Sequence, residues 1–396
     1  MTRAPSAAIL ATLLAACGGA DAEVALEQPV VDTTPTGVVQ VRNTGPAAWR
    51  EGSGWRLVLE RTIRPADGAP GEIGSPRGIV ADSRGHVYLY DRQPIAIREY
   101  GLDGALVHEF SGEGSGPGEI STNGLLMIAR DTIVFHDPNQ TRTQAWTREG
   151  EFLRGWSTFC CVSMPVAADR QGRIPVPGMV FPTTDGDGFL AGIGFVRYRL
   201  DGSVVDTIRL PRSGREPDKL WRFQVAGGVN INLVPMQPDE VQRLTPDGLP
   251  IWGHQSEYRF VAFAANGDTA RVFTAPATEV AIPDSVRERV IREAIDETPE
   301  LEGVAKLEDL PTTYAPWDGF AFDGEGNMWV LAAGPTGGTD HFEVFDPDGV
   351  LLGSVPSPLD RLYLTYWTAD HVYALVEDEA TGLPEVRIYR IERDRR

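Results

Sequence analysis

Short strand-forming runs recur along this chain in groups of four, separated by Asp/Gly turns. The clearest group opens with Gly78-Ile79-Val80-Ala81-Asp82, turns at Ser83-Arg84-Gly85 and continues through His86-Val87-Tyr88-Leu89-Tyr90-Asp91. A third run over 95–100 passes through Leu102-Asp103-Gly104 into a fourth over 105–110. Such turns join antiparallel neighbours, because glycine reaches the left-handed backbone that a tight hairpin needs. Four antiparallel strands joined in sequence are one blade of a β-propeller.

The same grammar returns. A second blade runs from about Leu125 through 132–137, Gln144-Ala145-Trp146, the turn Arg148-Glu149-Gly150 and Phe152-Leu153. A third carries Ala168-Asp169-Arg170-Gln171-Gly172 and 195–202, and a fourth Pro246-Asp247-Gly248, 258–263, Asn266-Gly267 and 270–273. The fifth is clean: 319–323, the turn Gly324-Glu325-Gly326, 327–330, 341–345, Asp348-Gly349 and 350–355. The sixth shows only three runs, 362–367, 371–376 and 386–391. Its fourth strand is expected from Trp55-Arg56-Leu57-Val58-Leu59-Glu60, which closes the ring and leaves no free sheet edge around it. The fold class is therefore all-β: a six-bladed β-propeller over 54–396, closed by an N-terminal strand joining the C-terminal blade. Repeat spacing alone also permits seven blades.

The stretch Gly112-Glu113-Gly114-Ser115-Gly116-Pro117-Gly118-Glu119-Ile120, with Pro76-Arg77-Gly78-Ile79-Val80-Ala81-Asp82, Gly85 and Val87-Tyr88-Leu89-Tyr90-Asp91, resembles the NHL-type six-bladed β-propeller family over most of 55–396. Blades one and five match well and the others are degenerate. The resemblance speaks to fold, since propellers host many activities.

One segment breaks the β pattern. After Pro283-Asp284-Ser285, the apolar residues Val286, Val290, Ile291, Ala294 and Ile295 follow at helical spacing. Ser285 and Glu288 have capping-box spacing, and Glu288 stands four residues before Arg292. A helical insertion over 277–310 is expected between blades four and five, either as a lid over the central pocket or as a cover on the propeller flank.

The N-terminus has the layout of a secretory signal: Arg3, a short apolar run, then Leu14-Ala15-Ala16-Cys17. A cysteine after two alanines resembles the lipobox of bacterial lipoproteins. The resemblance implies that 1–16 is cleaved and that Cys17 is acylated as the mature N-terminus; the alternative is an ordinary secretory peptide with an incidental cysteine. Gly18 at the next position is compatible with outer-membrane sorting. Residues 17–53 are small and polar and are expected to form a flexible tether of roughly 30–35 Å. The expected location is thus outside the cytoplasm, on the periplasmic or cell-surface side of a membrane. With Cys17 acylated, the adjacent Cys160 and Cys161 are left, either as a vicinal disulfide or as two thiols on opposite faces of a strand end.

Charge narrows the partners. The chain has 36 Lys+Arg against 56 Asp+Glu, a net of -20. This disfavours nucleic acid, whose binders carry basic patches. The expected partner is an envelope protein, peptide or glycan, met by a monomer. The long connections 112–123, 156–165, 178–192, 212–230, 276–317 and 334–340 should emerge on one face, where a rigid scaffold commonly binds. Arg77, Asn123, Tyr314, Trp317 and Asp318 stand on or just before first strands and are the ligand candidates, each weighed against a packing or turn role.

No catalytic residue is assigned. G-x-S-x-G, H-E-x-x-H and Walker spacings do not occur. The Gly112–Gly118 glycines precede a strand and not a helix, so a dinucleotide site fails its context. His86 and His371 each open a second strand, a place taken by Asn327 in blade five. Asp185-Gly186-Asp187-Gly188 lacks the remainder of a calcium-loop ladder and reads as a turn. No cofactor is required; Ca²⁺ is the alternative, since propellers of the lactonase and gluconolactonase kind hold that ion in the channel. Asp318, Asn123 and Asn230 would offer such oxygens, but the glutamate of that family has no counterpart here. That alternative would make the protein a metal-dependent hydrolase.

Overall fold

The computed structural model describes residues 29–45, 47–49, 54–65, 68–160, 162, 164–180, 193–209, 219–334 and 338–393. The chain opens with three strands that belong to sheets formed much later: β1 (Val30–Thr33), β2 (Val39–Arg42) and β3 (Arg56–Ile63). Blade one follows as β4 (Pro76–Ala81), β5 (Val87–Arg92), β6 (Ile95–Tyr100) and β7 (Leu106–Phe110), each antiparallel to the next. Blade two has β8 (Leu125–Ala129), β9 (Thr132–Asp137), β10 (Arg142–Trp146) and β11 (Phe152–Ser157).

Blade three shows β12 (Ile174–Met179), β13 (Ile193–Tyr198) and β14 (Val204–Arg209) among the described residues. A separate hairpin comes next, β15 (Leu220–Val225) and β16 (Gly228–Leu233). Blade four is β17 (Glu240–Leu244), β18 (Pro250–His254), β19 (Arg259–Phe263) and β20 (Thr269–Thr274). Helix α1 (Asp284–Glu297) precedes blade five, β21 (Trp317–Phe322), β22 (Met328–Ala333), β23 (Thr339–Phe345) and β24 (Leu351–Pro356). Blade six is β25 (Thr365–Trp367), β26 (His371–Glu377) and β27 (Pro384–Glu392), with β3 as its outermost strand, antiparallel to β27. The architecture is a six-bladed β-propeller.

Middle strands are sandwiched between neighbouring blades, so they are apolar on both faces. Val87 to Asp91 of β5 are all buried, whereas the outer β7 alternates between exposed and half-buried. The core is accordingly divided among the blade interfaces. Tyr88, Tyr90, Ile133 and Phe135 lie between blades one and two. Phe260, Phe273, Trp317 and Phe345 lie between four and five. Ile63, Val87, Tyr373 and Val386 lie between six and one.

The turn between first and second strands is rebuilt three times from one device. Asp82 Oδ1 accepts the backbone N–H groups of Arg84 (2.9 Å) and His86 (3.0 Å). Asp169 does the same for Gln171 and Arg173, and Asp323 for Glu325 and Asn327. Gly85, Gly172 and Gly326 supply the positive φ between them (82°, 74° and 97°).

The tether expected over 17–53 needs correction. β1 and β2 form a hairpin, and β2 lies parallel on β20, extending blade four to six strands. Beyond β2 the chain crosses to blade five, where Ala48 N–H and Trp49 N–H donate to Leu351 and Leu352. With β3 on blade six, β1–β2, residues 48–49 and β3 form a belt along the outer edges of three consecutive blades. Open edges carry unpaired N–H and C=O groups, and the belt satisfies them.

Asn43 holds the crossing point. Its Nδ2 donates to Thr274 O (2.9 Å) and Gly349 O (3.0 Å), and its Oδ1 accepts from Leu351 N–H (2.9 Å). Only 4% of the residue is exposed, so water cannot replace these bonds. Asn43→Ala is expected to destabilise the protein by about 2–3 kcal/mol, because it strands buried backbone groups. Denaturant unfolding with an unchanged m-value and a lowered midpoint is the expected reading.

The helical insertion forms as expected, but its predicted cap does not. The cap position is Pro283, with no side-chain cap bond, and Ser285 lies inside the helix. Arg287 anchors the first turn instead, donating to Asp284 Oδ1 (2.8 Å) and Leu307 O (2.6 Å). The inward stripe Val290, Ile291, Ala294 and Ile295 packs on Trp221 and Phe223 of β15, together with Leu301 and Leu310. The insertions before and after blade four therefore share one satellite core. The loop expected over 212–230 thus includes most of a hairpin.

Candidate functional site

Innermost strands face the axis of a propeller, and their first residues stand where the interblade connections arrive. In blade one the register of β4 on β5 shifts between Pro76 and Gly78, and in blade five that of β21 on β22 shifts between Trp317 and Gly319. The skipped residues are Arg77 and Asp318, and both are exposed. A bulge leaves one residue out of the ladder and re-aims its side chain. Two blades thus use the same irregularity, at the same place, to present a charged group. Asn123 is exposed at the matching place ahead of β8, and it too precedes a glycine. A Cβ on Gly78 would stand 2.9 Å from Leu126 Cβ, and one on Gly124 would stand 2.1 Å from Phe135 Cζ. Close approach of neighbouring strands therefore explains both glycines.

The candidates separate on these grounds. Arg77 makes one long contact, Nη1 to Pro76 O at 3.5 Å. Asn123 accepts a bond from Ser121 through its backbone oxygen. Tyr314 is half-buried, with its N–H donating to Val280 O (2.9 Å) in the base of the helical insertion. Trp317 belongs to the core. It has 0% exposure, packs 5.2 Å from Phe260 between ring centroids and donates its indole N–H to Glu257 O. It cannot meet a ligand and is withdrawn from the candidate set.

Arg243 on β17 joins the set. It is half-buried, and its Nη1 donates only to Gln242 O (2.8 Å). Burial pushes the guanidinium pKa down, and the nearby Asp318 charge works against that shift. Asp318 is in turn pushed up by burial, with Asp360 adding to the shift and Arg361 and Arg243 opposing it. Arg243 and Asp318 therefore feel each other across the innermost strands of blades four and five without forming an ion pair. The sequence signal was faint: the polar Gln242-Arg243 step inside an innermost strand.

Asn230 sits exposed on β16 of the satellite hairpin, whereas Asp318 and Asn123 sit at the first strands of blades five and two, so the three oxygens come from three separate elements. Among the described residues, one cluster places three ligand types together: Asp82, His86 and Glu99. Its centre is taken by Arg84, which pairs with Asp82 Oδ2 (2.6 Å) and Glu99 Oε1 (3.0 Å). The register shows what the cluster is. Glu99 pairs with Tyr88 and His108 across the ladder, and Arg197 pairs with Pro175 and Asp206 at the same places in blade three. There Arg197 binds Asp206, with the charges reversed. Both are interstrand polar networks below a blade turn.

Two sequence features resolve differently. Cys160 is held in a disulfide. Its partner, Cys161 with the two alternatives weighed for it, and Cys17 with the signal segment lie outside the described residues. His254 Nδ1 stands 2.7 Å from Ser256 Oγ, but it also receives the Ser256 N–H (3.2 Å), so the pair is a local turn. No helix among the described residues is long and apolar enough to cross a membrane.

The fold is a six-bladed propeller in which the first strands of blades one and five each turn one charged side chain out of the ladder. No family model and no curated protein matches the sequence. Among solved structures, a catalytically inactive virginiamycin B lyase from Staphylococcus aureus, crystallised with quinupristin, is similar at 12% identity and a TM-score of 0.41, covering 85% of this chain and 99% of that one. A DUF4221 family member from Bacteroides vulgatus is similar at 11% identity and a TM-score of 0.44, covering 86% and 99%. A gluconolactonase from Xanthomonas campestris is similar at 14% identity and a TM-score of 0.38, covering 85% and 97%. At these values the likenesses carry nothing about ligand or reaction.

Proposed function

We propose that this protein is exported, anchored through an acylated Cys17, and binds an envelope protein, peptide or glycan at the mouth of its channel. The observation that carries the reading is the paired bulge, which turns Arg77 and Asp318 out of the innermost strands of two blades. Arg243 and Asn123 add a cation and an amide around the same ring. Charges of both signs on a rigid frame suit a polar or zwitterionic ligand, with the elaborated connections around them supplying contact area.

The test is capture from solubilised envelope by the anchored protein under mild crosslinking. A bound species should be recovered by the parent and lost on the double reversal Arg77→Glu with Asp318→Lys, whose exposed side chains leave the core untouched. Equal recovery by both proteins, or no recovery, would count against the site. Anchoring is tested separately: Cys17→Ser should move the protein from the membrane to the soluble fraction. For the calcium alternative, thermal melts with EDTA and with excess Ca²⁺ should superimpose. A ligand at about 100 times its Kd would add about 2.7 kcal/mol, and a rise of that size would revive the hydrolase reading.

A further inference from the structure

The satellite hairpin has an outward face that nothing described covers. Residues paired across a ladder share a face, so Leu220 with Leu233, Arg222 with Ile231 and Gln224 with Val229 lie together on one side. On the other side Trp221 and Phe223 are buried against α1 and its neighbours. On the outward side Val229, Ile231 and Leu233 are 54%, 48% and 62% exposed. Charge sets this element apart as well. Residues 219–234 hold Lys219 and Arg222 and no Asp or Glu, in a chain with a net of -20.

The start of the described chain lies beside the point where the helical insertion leaves blade four. Val30 pairs with Arg42, and Arg42 with Thr274, the last residue of β20 before the helical insertion departs. Two strand spacings, roughly 10 Å, separate Val30 from that departure point. Cys17 is twelve residues before residue 29. Twelve residues reach at most about 40 Å.

From these observations we infer that the outward face of β15–β16 rests on the lipid bilayer to which Cys17 holds the protein. Val229, Ile231 and Leu233 enter the headgroup boundary, and Arg222, on the same face, reaches lipid phosphate, as aliphatic and basic groups do at such interfaces. The inference rests on the anchoring reading for the membrane's proximity, but its test does not.

The test uses the full chain carrying Cys17→Ser, which removes any acyl contribution, and flotation with phosphatidylcholine vesicles. These carry phosphate without a net charge that would repel an acidic protein. A measurable fraction should float. Ile231→Asp with Leu233→Asp should cut that fraction about fivefold or more, since the loss falls on exposed aliphatic groups. Val204→Asp, a change at an exposed valine of blade three, should leave it unchanged. Both variants should melt with the parent, because neither touches the satellite core. No flotation, or flotation indifferent to the double change, would overturn the inference. So would a vesicle-free dimer that the same double change splits, since a second copy would then be the occupant. In cells, residual retention of Cys17→Ser that the hairpin changes abolish would support the hairpin, whereas retention undiminished by Cys17→Ser would refute the anchor, so the two failures stay distinct.

Discussion

A chain lacking residues 55–63 is expected to lose its single cooperative unfolding transition. β3 pairs with β27 from Val386↔Ile63 to Glu392↔Arg56, so its removal opens the outer edge of blade six along its whole length. The loss is not confined to the edge. Ile63 is 1% exposed within the core between blades six and one. Trp55 and Leu57 pack on the core between blades five and six, where Trp55 stands 5.7 Å from Trp329 and carries Arg393 over its ring at 4.7 Å. Two blade interfaces therefore fail with one strand. Each large side chain withdrawn from a core costs about 2–5 kcal/mol, and the stranded ladder adds to this, against a total stability of about 5–15 kcal/mol. Calorimetry should show a broad or absent transition. A deletion variant that melts like the parent would mean that the ring does not depend on its N-terminal strand.

That strand was legible because the last repeat is visibly one strand short and the run 55–60 is free to supply it. The remainder of the belt was not legible. Val30–Thr33 and Val39–Arg42 are four-residue strands broken by Asp, Gln and Arg, and the second is held by a partner more than two hundred residues away. Local pattern carries no trace of such pairing. The satellite hairpin was hidden for a related reason, since its outward aliphatic face and inward aromatic face blur the alternation that marks a half-buried strand.

The candidate site was half legible. Proximity to the start of a first strand picked out Arg77, Asn123 and Asp318, but it also picked out Trp317, which differs from Asp318 only by one place in register. The bulge between Trp317 and Gly319 decides which of the two is turned outward, and a bulge is a tertiary feature with only glycine as its hint. Arg243 was missed because a cation on an innermost strand contradicts simple burial, a local conflict of the kind expected at functional sites.

Acidification between about pH 6.5 and pH 4 is expected to destabilise the protein by about 3 kcal/mol through one residue, His136. Its exposure is 0%. Burial lowers its pKa from 6.5 to about 4, against the opposing pull of Asp137 and of a backbone bond at Arg142. In the folded protein the ring therefore stays neutral where the unfolded chain takes up a proton. Its contribution is intact above pH 6.5, declines as pH falls through that window, and declines no further below about pH 4, where both states are protonated. The neutral ring is held in place by contacts from Nδ1 to Thr143 Oγ1 (3.1 Å) and Thr158 Oγ1 (3.3 Å). Carboxylates with depressed pKa act elsewhere on the scale. Asp206, held down by its bond from Arg197, releases its contribution only below its ordinary value of 3.8. Denaturant midpoints at half-unit pH steps should thus fall between 6.5 and 4 in the parent. The fall should largely vanish in His136→Asn, whatever that variant's stability at neutral pH. An equal fall in both proteins would place the acid sensitivity in other groups.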